Sequence, residues 1–187
     1  NIRYNYAKGM MVETEGGLKK TMALADDLAR VNMGGPELCS DLVPVAGPRR
    51  AILSDIIEVG THTFRFAAVG FGTPHCIIFL EEGETVPWEA APLLEKHEFF
   101  PRGTNVEFVK VVNPGKMMVF AWERGVGKTV SCGSGACAAV VAGVLQDKLE
   151  RLPVDVVMPG GTMRVQWEPG SEVFLEGTAR VVFSGEI

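Results

Sequence analysis

The stretch ERGVGKTVSCGSGACAAVVAG, residues 123–143, decides the fold. From Gly135 to Leu149 the side chains are small and apolar on nearly every side, which predicts a buried central helix over about 135–149. The segments on both sides of this helix are short, rich in Val, Ile, Phe and Met, and separated by Pro, Gly and Asn, as is typical of strands. The pattern therefore predicts an α+β fold in which antiparallel strands surround one helix.

The predicted strands span residues 51–57, 63–69, 76–80, 106–112, 116–121, 163–167, 173–175 and 179–183. A second, short helix is predicted over 89–97, after Pro87.

The composition is that of an ordinary globular protein: 187 residues, 47% of them apolar, with a net charge of −5. The negative charge and the absence of a basic stripe argue against a nucleic-acid partner. The longest uncharged stretch, 129–146, is interrupted by Ser, Cys and Gly in its first half, which argues against a membrane span. Four cysteines without a CxxC pair predict neither a disulfide framework nor a metal site, so we expect a reducing, cytoplasmic location.

Cys132 is the residue on which a catalytic prediction depends. The predicted strand ends at Ser131, and Gly133, Ser134 and Gly135 lead into the helix, so Cys132 lies at a helix N-terminus. Unpaired amides and the helix dipole attract anions there, and we expect them to lower the thiol pKa toward neutrality. A thiolate beside a turn that binds a carboxylate suits removal of a proton from the carbon next to that carboxylate.

Other interpretations of this segment stay open from the residues alone. A cysteine at a Gly-Ser-Gly helix entry is also a common packing residue, as we expect Cys39, Cys76 and Cys137 to be. The GxGxxA spacing over 133–138 matches a dinucleotide-binding fingerprint, but that fold needs alternating strands and helices.

Four further polar residues lie next to predicted turns: His75, Asn105, Glu123 and Arg124. Each of them taken alone is more typical of a capped turn or a solvated charge than of a site.

Taken together, these segments resemble the diaminopimelate epimerase family. The matching motifs follow in the family's order: FGTPHC (71–76), GTNVEF (103–108), ERGVG (123–127), CGSGACA (132–138), MPGG (158–161) and LEGTA (175–179). The resemblance covers nearly the whole chain, and the pair ERGVG and SCGSGACAA is its most specific part.

The resemblance implies a fold of two pseudo-symmetric lobes, each an antiparallel β-barrel-like sheet around a central helix, with the substrate between them. Residues 1–34 and 178–187 would belong to the first lobe, and 35–177 would form the second. It also implies a cytoplasmic, homodimeric isomerase that needs no cofactor or metal. The reaction would convert LL-diaminopimelate to meso-diaminopimelate, a precursor of lysine and peptidoglycan, with two cysteines as acid and base.

The resemblance also implies a role for each matched site residue. Cys132 would be one of the two acid–base thiols, with Glu123 beside the α-amino group and His75 supporting the reacting centre. The amides of Gly133 and Ser134 would bind the α-carboxylate. The distal end of the substrate would be bound by Thr73, Asn105 and Arg124.

Two departures from the family pattern bear on this expectation. The family usually has Asn where this chain has Thr73, and Thr lacks the paired donor and acceptor of an amide. The Cys-Gly-Asn-Gly motif that carries the other cysteine is absent, although residues 4–9 resemble the helix that follows it. We therefore expect an incomplete first lobe. A related racemase with another amino-acid substrate, and a non-catalytic truncated relative, are the alternatives.

Overall fold

The computed structural model describes residues 9–14, 17–25, 27–151, 153–180 and 182. The strands within these residues are β1 (Met10–Thr14), β2 (Gly17–Ala25), β3 (Leu28–Gly34), β4 (Asp55–Val59), β5 (His62–Gly70), β6 (Pro74–Phe79), β7 (Asn105–Asn113), β8 (Lys116–Glu123), β9 (Gly127–Thr129), β10 (Val154–Met158), β11 (Gly161–Gln166) and β12 (Val173–Thr178). The helices within them are α1 (Ala91–Glu95) and α2 (Gly133–Leu145).

The strands pair into one long sheet in the order β1-β2-β3-β12-β11-β10-β8-β7-β6-β5-β4, and β9 pairs with β8. The predicted α+β class is confirmed. The pairing is antiparallel except between β6 and β7 and between β8 and β10. Parallel neighbours require a crossover connection, which the segment containing α1 provides for the first pair and α2 for the second.

Helix α2 forms the centre of the fold. Every residue from Gly135 to Val144 is buried, and the helix packs against β5, β6, β7, β8, β11 and β12. Small side chains permit this close approach from several strands at once. The helix begins two residues before the predicted start and ends four before the predicted end. It ends there because Asp147 has a positive φ of 55° and the Lys148 amide turns back to donate to the Gly143 carbonyl.

Strands β5 to β7 are buried on both faces because a second apolar layer covers the side away from α2. Phe66, Ile78 and Phe108 point into that layer, where they pack in one cluster with Ile52 and Leu94. Alternate residues of the same strands belong to the cluster around α2.

Several predicted boundaries differ from the structure. Helix α1 is shorter than predicted, and β1, β2, β3 and β10 were not predicted. The strand predicted to end at Ser131 corresponds to β9, which ends at Thr129. The strand predicted over 179–183 is not seen at Ala179 and Arg180, where the Ala179 amide donates to the Asp27 carbonyl instead. Residues 1–8, 15, 16, 26, 181 and 183–187, which the predicted first lobe includes, lie outside the described residues. The described part of 1–34 continues the sheet through antiparallel pairing of β3 with β12.

No helix in the described part of the chain is long and apolar enough to cross a membrane.

Candidate active site

The register of the central strands places four polar side chains on the face that α2 covers. His75 pairs with Asn105 across β6 and β7, and Ile77 pairs with Glu107 two residues further on. Glu107 in turn pairs with Ala121 of β8, so Glu123 shares their face. Because side chains alternate along a strand, these residues converge near the N-terminus of α2.

Cys132 is the N-cap residue of α2. Its backbone is extended (φ −140°, ψ 105°), and its Sγ accepts a hydrogen bond from the Gly135 amide at 3.4 Å. The Ser134 hydroxyl lies 3.7 Å from the same sulfur, and the Cys132 amide donates to Met158 Sδ at 3.5 Å. Cys132 is thus held through both its sulfur and its backbone amide, and the residue is only 5% exposed. The predicted position at a helix N-terminus is confirmed.

Gly135 is needed because α2 approaches β7 closely at this point. A Cβ on Gly135 would lie 2.4 Å from Glu107 Oε1, closer than real Cβ atoms approach, and 3.1 Å from Cys132 Sγ, which is a tight contact. The second glycine of the Gly-Ser-Gly turn therefore lets a carboxylate and a thiol meet at the start of the helix.

His75 and Glu107 form a buried pair beneath this turn. His75 Nδ1 lies 2.8 Å from Glu107 Oε1, and neither side chain is exposed. His75 Nε2 and Glu107 Oε2 have no hydrogen-bond partner among the described residues. A buried histidine and carboxylate that each keep one atom without a hydrogen-bond partner are unusual in a core, where polar groups are normally hydrogen-bonded.

The predicted lowering of the Cys132 pKa is wrong for the described chain. Burial raises the pKa of this thiol from 9.0 to about 12, and the charges of Glu107 and Glu123 act in the same direction. The hydrogen bonds from Ser134 and Gly135 favour the thiolate but do not outweigh these effects. Cys132 is therefore a protonated thiol at neutral pH, able to donate a proton.

Arg124 and Asn105 contact one another next to the site. Asn105 Oδ1 accepts a hydrogen bond from the Arg124 amide at 2.9 Å, and a turn closes with the Val126 amide donating to the Glu123 carbonyl. The Arg124 side chain is exposed, and its guanidinium donates to the Arg102 carbonyl at 2.8 Å. Asn105 thus fixes the loop that carries Glu123 and Arg124.

Glu95 is a second support of this loop that the sequence did not indicate. Its carboxylate accepts hydrogen bonds from the Gly125 amide at 3.0 Å and from Trp122 Nε1 at 2.7 Å. Glu95 belongs to α1, which packs on the opposite face of the sheet. The contact with the loop therefore depends on the tertiary fold and is not visible in the local sequence. Glu107 was also missed, although a lone carboxylate between Val106 and Phe108 was a signal for it.

The remaining predicted site residues are half-buried next to His75 and Cys132 in the sequence: Thr73, Gly133 and Ser134. Thr73 belongs to the turn immediately before β6, in which the Phe71 amide donates to its carbonyl at 3.2 Å. The first hydrogen bond within α2 runs from the Ala136 amide to the Cys132 carbonyl. The amides of Gly133 and Ser134 precede that bond, so they are able to bind an anion.

The three central side chains form one group. In the described part of the chain, the candidate ligand atoms of His75, Glu107 and Cys132 lie within 4.8 Å of one another, close enough to hold a metal ion. The same three side chains are also close enough to hold a proton and pass it from one to another. The neighbouring turn amides and Arg124 suit an anionic substrate better than a cation.

Comparison with known proteins agrees with this chemistry. A family model described as diaminopimelate epimerase matches residues 67–182. The enzyme of that name from Pelotomaculum thermopropionicum is 42% identical over 98% of this chain and 69% of its own length. The one from Carboxydothermus hydrogenoformans is also 42% identical, over 98% of this chain and 67% of its own length. The chain thus spans about two thirds of the length of these relatives.

Solved structures share the fold at low sequence identity. A hydroxyproline epimerase from Agrobacterium vitis superposes with a TM-score of 0.64 at 17% identity, covering 95% of this chain and 58% of that one. A probable proline racemase from Agrobacterium radiobacter gives a TM-score of 0.66 at 13% identity, covering 98% of this chain and 63% of that one. Together with the family match and the close relatives, the site and fold place this chain in the diaminopimelate epimerase family of isomerases.

Proposed function

We propose that this chain carries one of the two acid–base centres that interconvert LL- and meso-diaminopimelate, with no pyridoxal cofactor. The observation that supports this most strongly is the position of Cys132, whose sulfur caps α2 beside the buried His75–Glu107 pair. General acid–base catalysis needs a proton-carrying group held close to a site for the substrate anion, and this turn offers both.

In this proposal Cys132 is the general acid in one direction of the reaction and the general base in the other. In one direction its thiol gives a proton to the α-carbon while a second thiolate removes the original proton from the other face. In the reverse direction the Cys132 thiolate takes the α-proton and the second group donates. The amides of Gly133 and Ser134 stabilise the negative charge that develops on the α-carboxylate. Exclusion of water when the site closes strengthens these contacts.

The remaining site residues orient the substrate. Glu123 pairs with the α-ammonium group, since it lies near enough for its charge to act on Cys132. The exposed guanidinium of Arg124 suits the distal carboxylate, with Asn105 holding its backbone in place. Thr73 lies beside that end of the substrate.

The second thiol belongs, by the family pattern, to a Cys-Gly-Asn-Gly segment that the sequence above does not contain. We place residues 1–34 and 178–187 in the lobe that carries it and 35–177 in the lobe that carries Cys132. Free cysteines at 39, 76, 132 and 137 agree with a reducing, cytoplasmic setting in lysine and peptidoglycan precursor synthesis. The functional unit in this proposal is a homodimer.

Proton NMR in D₂O tests the proposal with the protein at its full natural length and LL-diaminopimelate. We expect loss of the α-proton signal together with formation of the meso isomer, because two bases act on opposite faces. Exchange with complete retention of configuration would contradict a two-base reaction.

A related racemase acting on another amino acid is the second candidate, and Thr73 favours it. A hydroxyl cannot reproduce the paired donor and acceptor of the usual asparagine. Exchange on a different amino acid, with none on LL-diaminopimelate, would support this candidate and contradict the first.

A further inference from the structure

Glu107 is a carboxylate in the interior of the sheet. It lies in β7 between Val106 and Phe108, both buried, and none of its own surface is exposed. Burial of a charge is costly, and exchange for an apolar residue of similar size is often neutral or stabilising. Packing therefore does not account for an acid at this position.

The contacts of Glu107 all point to the acid–base centre. One carboxylate oxygen lies 2.8 Å from His75 Nδ1. The same oxygen lies where a side chain on Gly135 would project, beside the Cys132 sulfur. The carboxylate thus touches both the histidine and the first turn of α2.

The pair with Glu107 determines the tautomer of His75. A carboxylate accepts hydrogen bonds only, so the neutral imidazole donates its Nδ1–H to it. The Nε2 lone pair is then free to accept a proton, and that atom has no partner among the described residues.

We propose that Glu107 is a positioning residue of the acid–base centre: its charge keeps Cys132 protonated between turnovers, and its carboxylate fixes His75 with Nε2 as acceptor. This inference rests on the proposed epimerase function for its role in turnover. Its effect on the thiol does not depend on that function.

Other charged or titratable groups also surround Cys132. Glu123 approaches from β8, His75 from β6 and Cys137 from α2 itself, while Glu107 approaches from β7. After burial, Glu107 is the largest cause of the raised pKa of Cys132. Burial, and after it the charge of Glu107, also raises the pKa of Cys76, on the far side of β6.

Alkylation of Cys132 by iodoacetamide, followed by peptide mass spectrometry as a function of pH, measures the thiol without reference to activity. Only the thiolate reacts, so the rate at a fixed pH reports the thiolate fraction. Glu107→Gln keeps the shape and the oxygen that faces His75 but removes the charge. We expect the rate at pH 8 to rise at least about tenfold, equivalent to one pKa unit.

Glu98→Gln is the matched control, since it removes an exposed carboxylate away from the site, and it should leave the rate unchanged. Glu107→Asp keeps the charge and should leave the alkylation rate within about threefold of wild type. It withdraws the carboxylate from His75, so it should lower kcat more than it changes KM.

An unchanged Cys132 alkylation rate in folded Glu107→Gln would overturn the inference. If Glu107→Gln does not fold, a Glu107→Asp protein with wild-type kcat would overturn it instead. The proposed function fails separately. If Cys132 is alkylated faster in Glu107→Gln but the wild type does not epimerise diaminopimelate, the effect of Glu107 on the thiol stands and the proposed function is refuted. The two failures are thus distinguishable.

Discussion

Replacement of Gly135 by alanine tests whether the close approach of α2 to β7 organises the site. The new Cβ would lie 2.4 Å from Glu107 Oε1, about 1 Å short of an ordinary contact, and 3.0 Å from Glu107 Cδ. The obstructing atoms belong to a buried carboxylate bonded to His75, so they have little room to move. Overpacking of this kind costs about 1–3 kcal/mol. The better helix propensity of alanine returns up to about 1 kcal/mol.

With the full offset, we therefore expect Gly135→Ala to lower the free energy of unfolding by up to about 2 kcal/mol in urea titration. Displacement of Glu107 should also accelerate alkylation of Cys132 at pH 8. Gly35→Ala is the control, because that glycine has no neighbour within 4 Å of an added Cβ and should cost nothing. A Gly135→Ala protein with wild-type stability and wild-type alkylation kinetics would refute the reasoning.

Three further predictions concern the surroundings of the site. The pKa of Cys132 is raised from 9.0 to about 12, so the folded state holds this proton where the unfolded state has lost it. The resulting stabilisation is complete below pH 9 and disappears as pH rises toward 12. The free energy of unfolding of wild type minus that of Cys132→Ala should therefore fall over this window, by up to about 4 kcal/mol; a flat difference would contradict the raised pKa. Glu95→Gln leaves a single acceptor oxygen for the two donors on Trp122 and Gly125, so it should lower the free energy of unfolding by about 1–3 kcal/mol in urea titration. A loss no larger than that of the exposed control Glu98→Gln would show that these hydrogen bonds do not hold the loop that carries Glu123 and Arg124. Thr73→Asn restores the amide usual in the family and should lower the KM for diaminopimelate; an unchanged KM would show that residue 73 does not contact the substrate.

Local sequence patterns predicted the parts of the fold whose cause is local. The run of small apolar residues identified α2, and the β-branched and aromatic segments identified β5 to β8. Strands β1 to β3 were missed because their sequence mixes Lys, Thr and Asn with apolar residues. These strands form because each pairs with a neighbour, ending with β3 against β12, which comes from the other end of the chain.

The same distinction holds in the candidate site. Cys132 was found because a thiol followed by Gly-Ser-Gly and a helix is a local signal. The direction of its pKa shift was predicted wrongly, because burial and the charge of Glu107 come from strands distant in sequence. Glu107 and Glu95 were missed for a related reason, since their roles depend on which residues the sheet register brings opposite them.

Comparison of Cys132→Ala with Cys137→Ala, each at the full natural length of the protein, tests the central claim most directly. The measured quantity is the rate of conversion of LL- to meso-diaminopimelate, which needs both thiols. Cys132 precedes α2 and Cys137 lies within it, and both are buried, but only Cys132 caps the helix beside His75 and Glu107. We predict that Cys132→Ala loses at least about a hundredfold in rate, the usual contribution of a general acid or base, while Cys137→Ala retains the rate of the wild type. Equal rates in the two variants would contradict the assignment of Cys132 as the acid–base thiol.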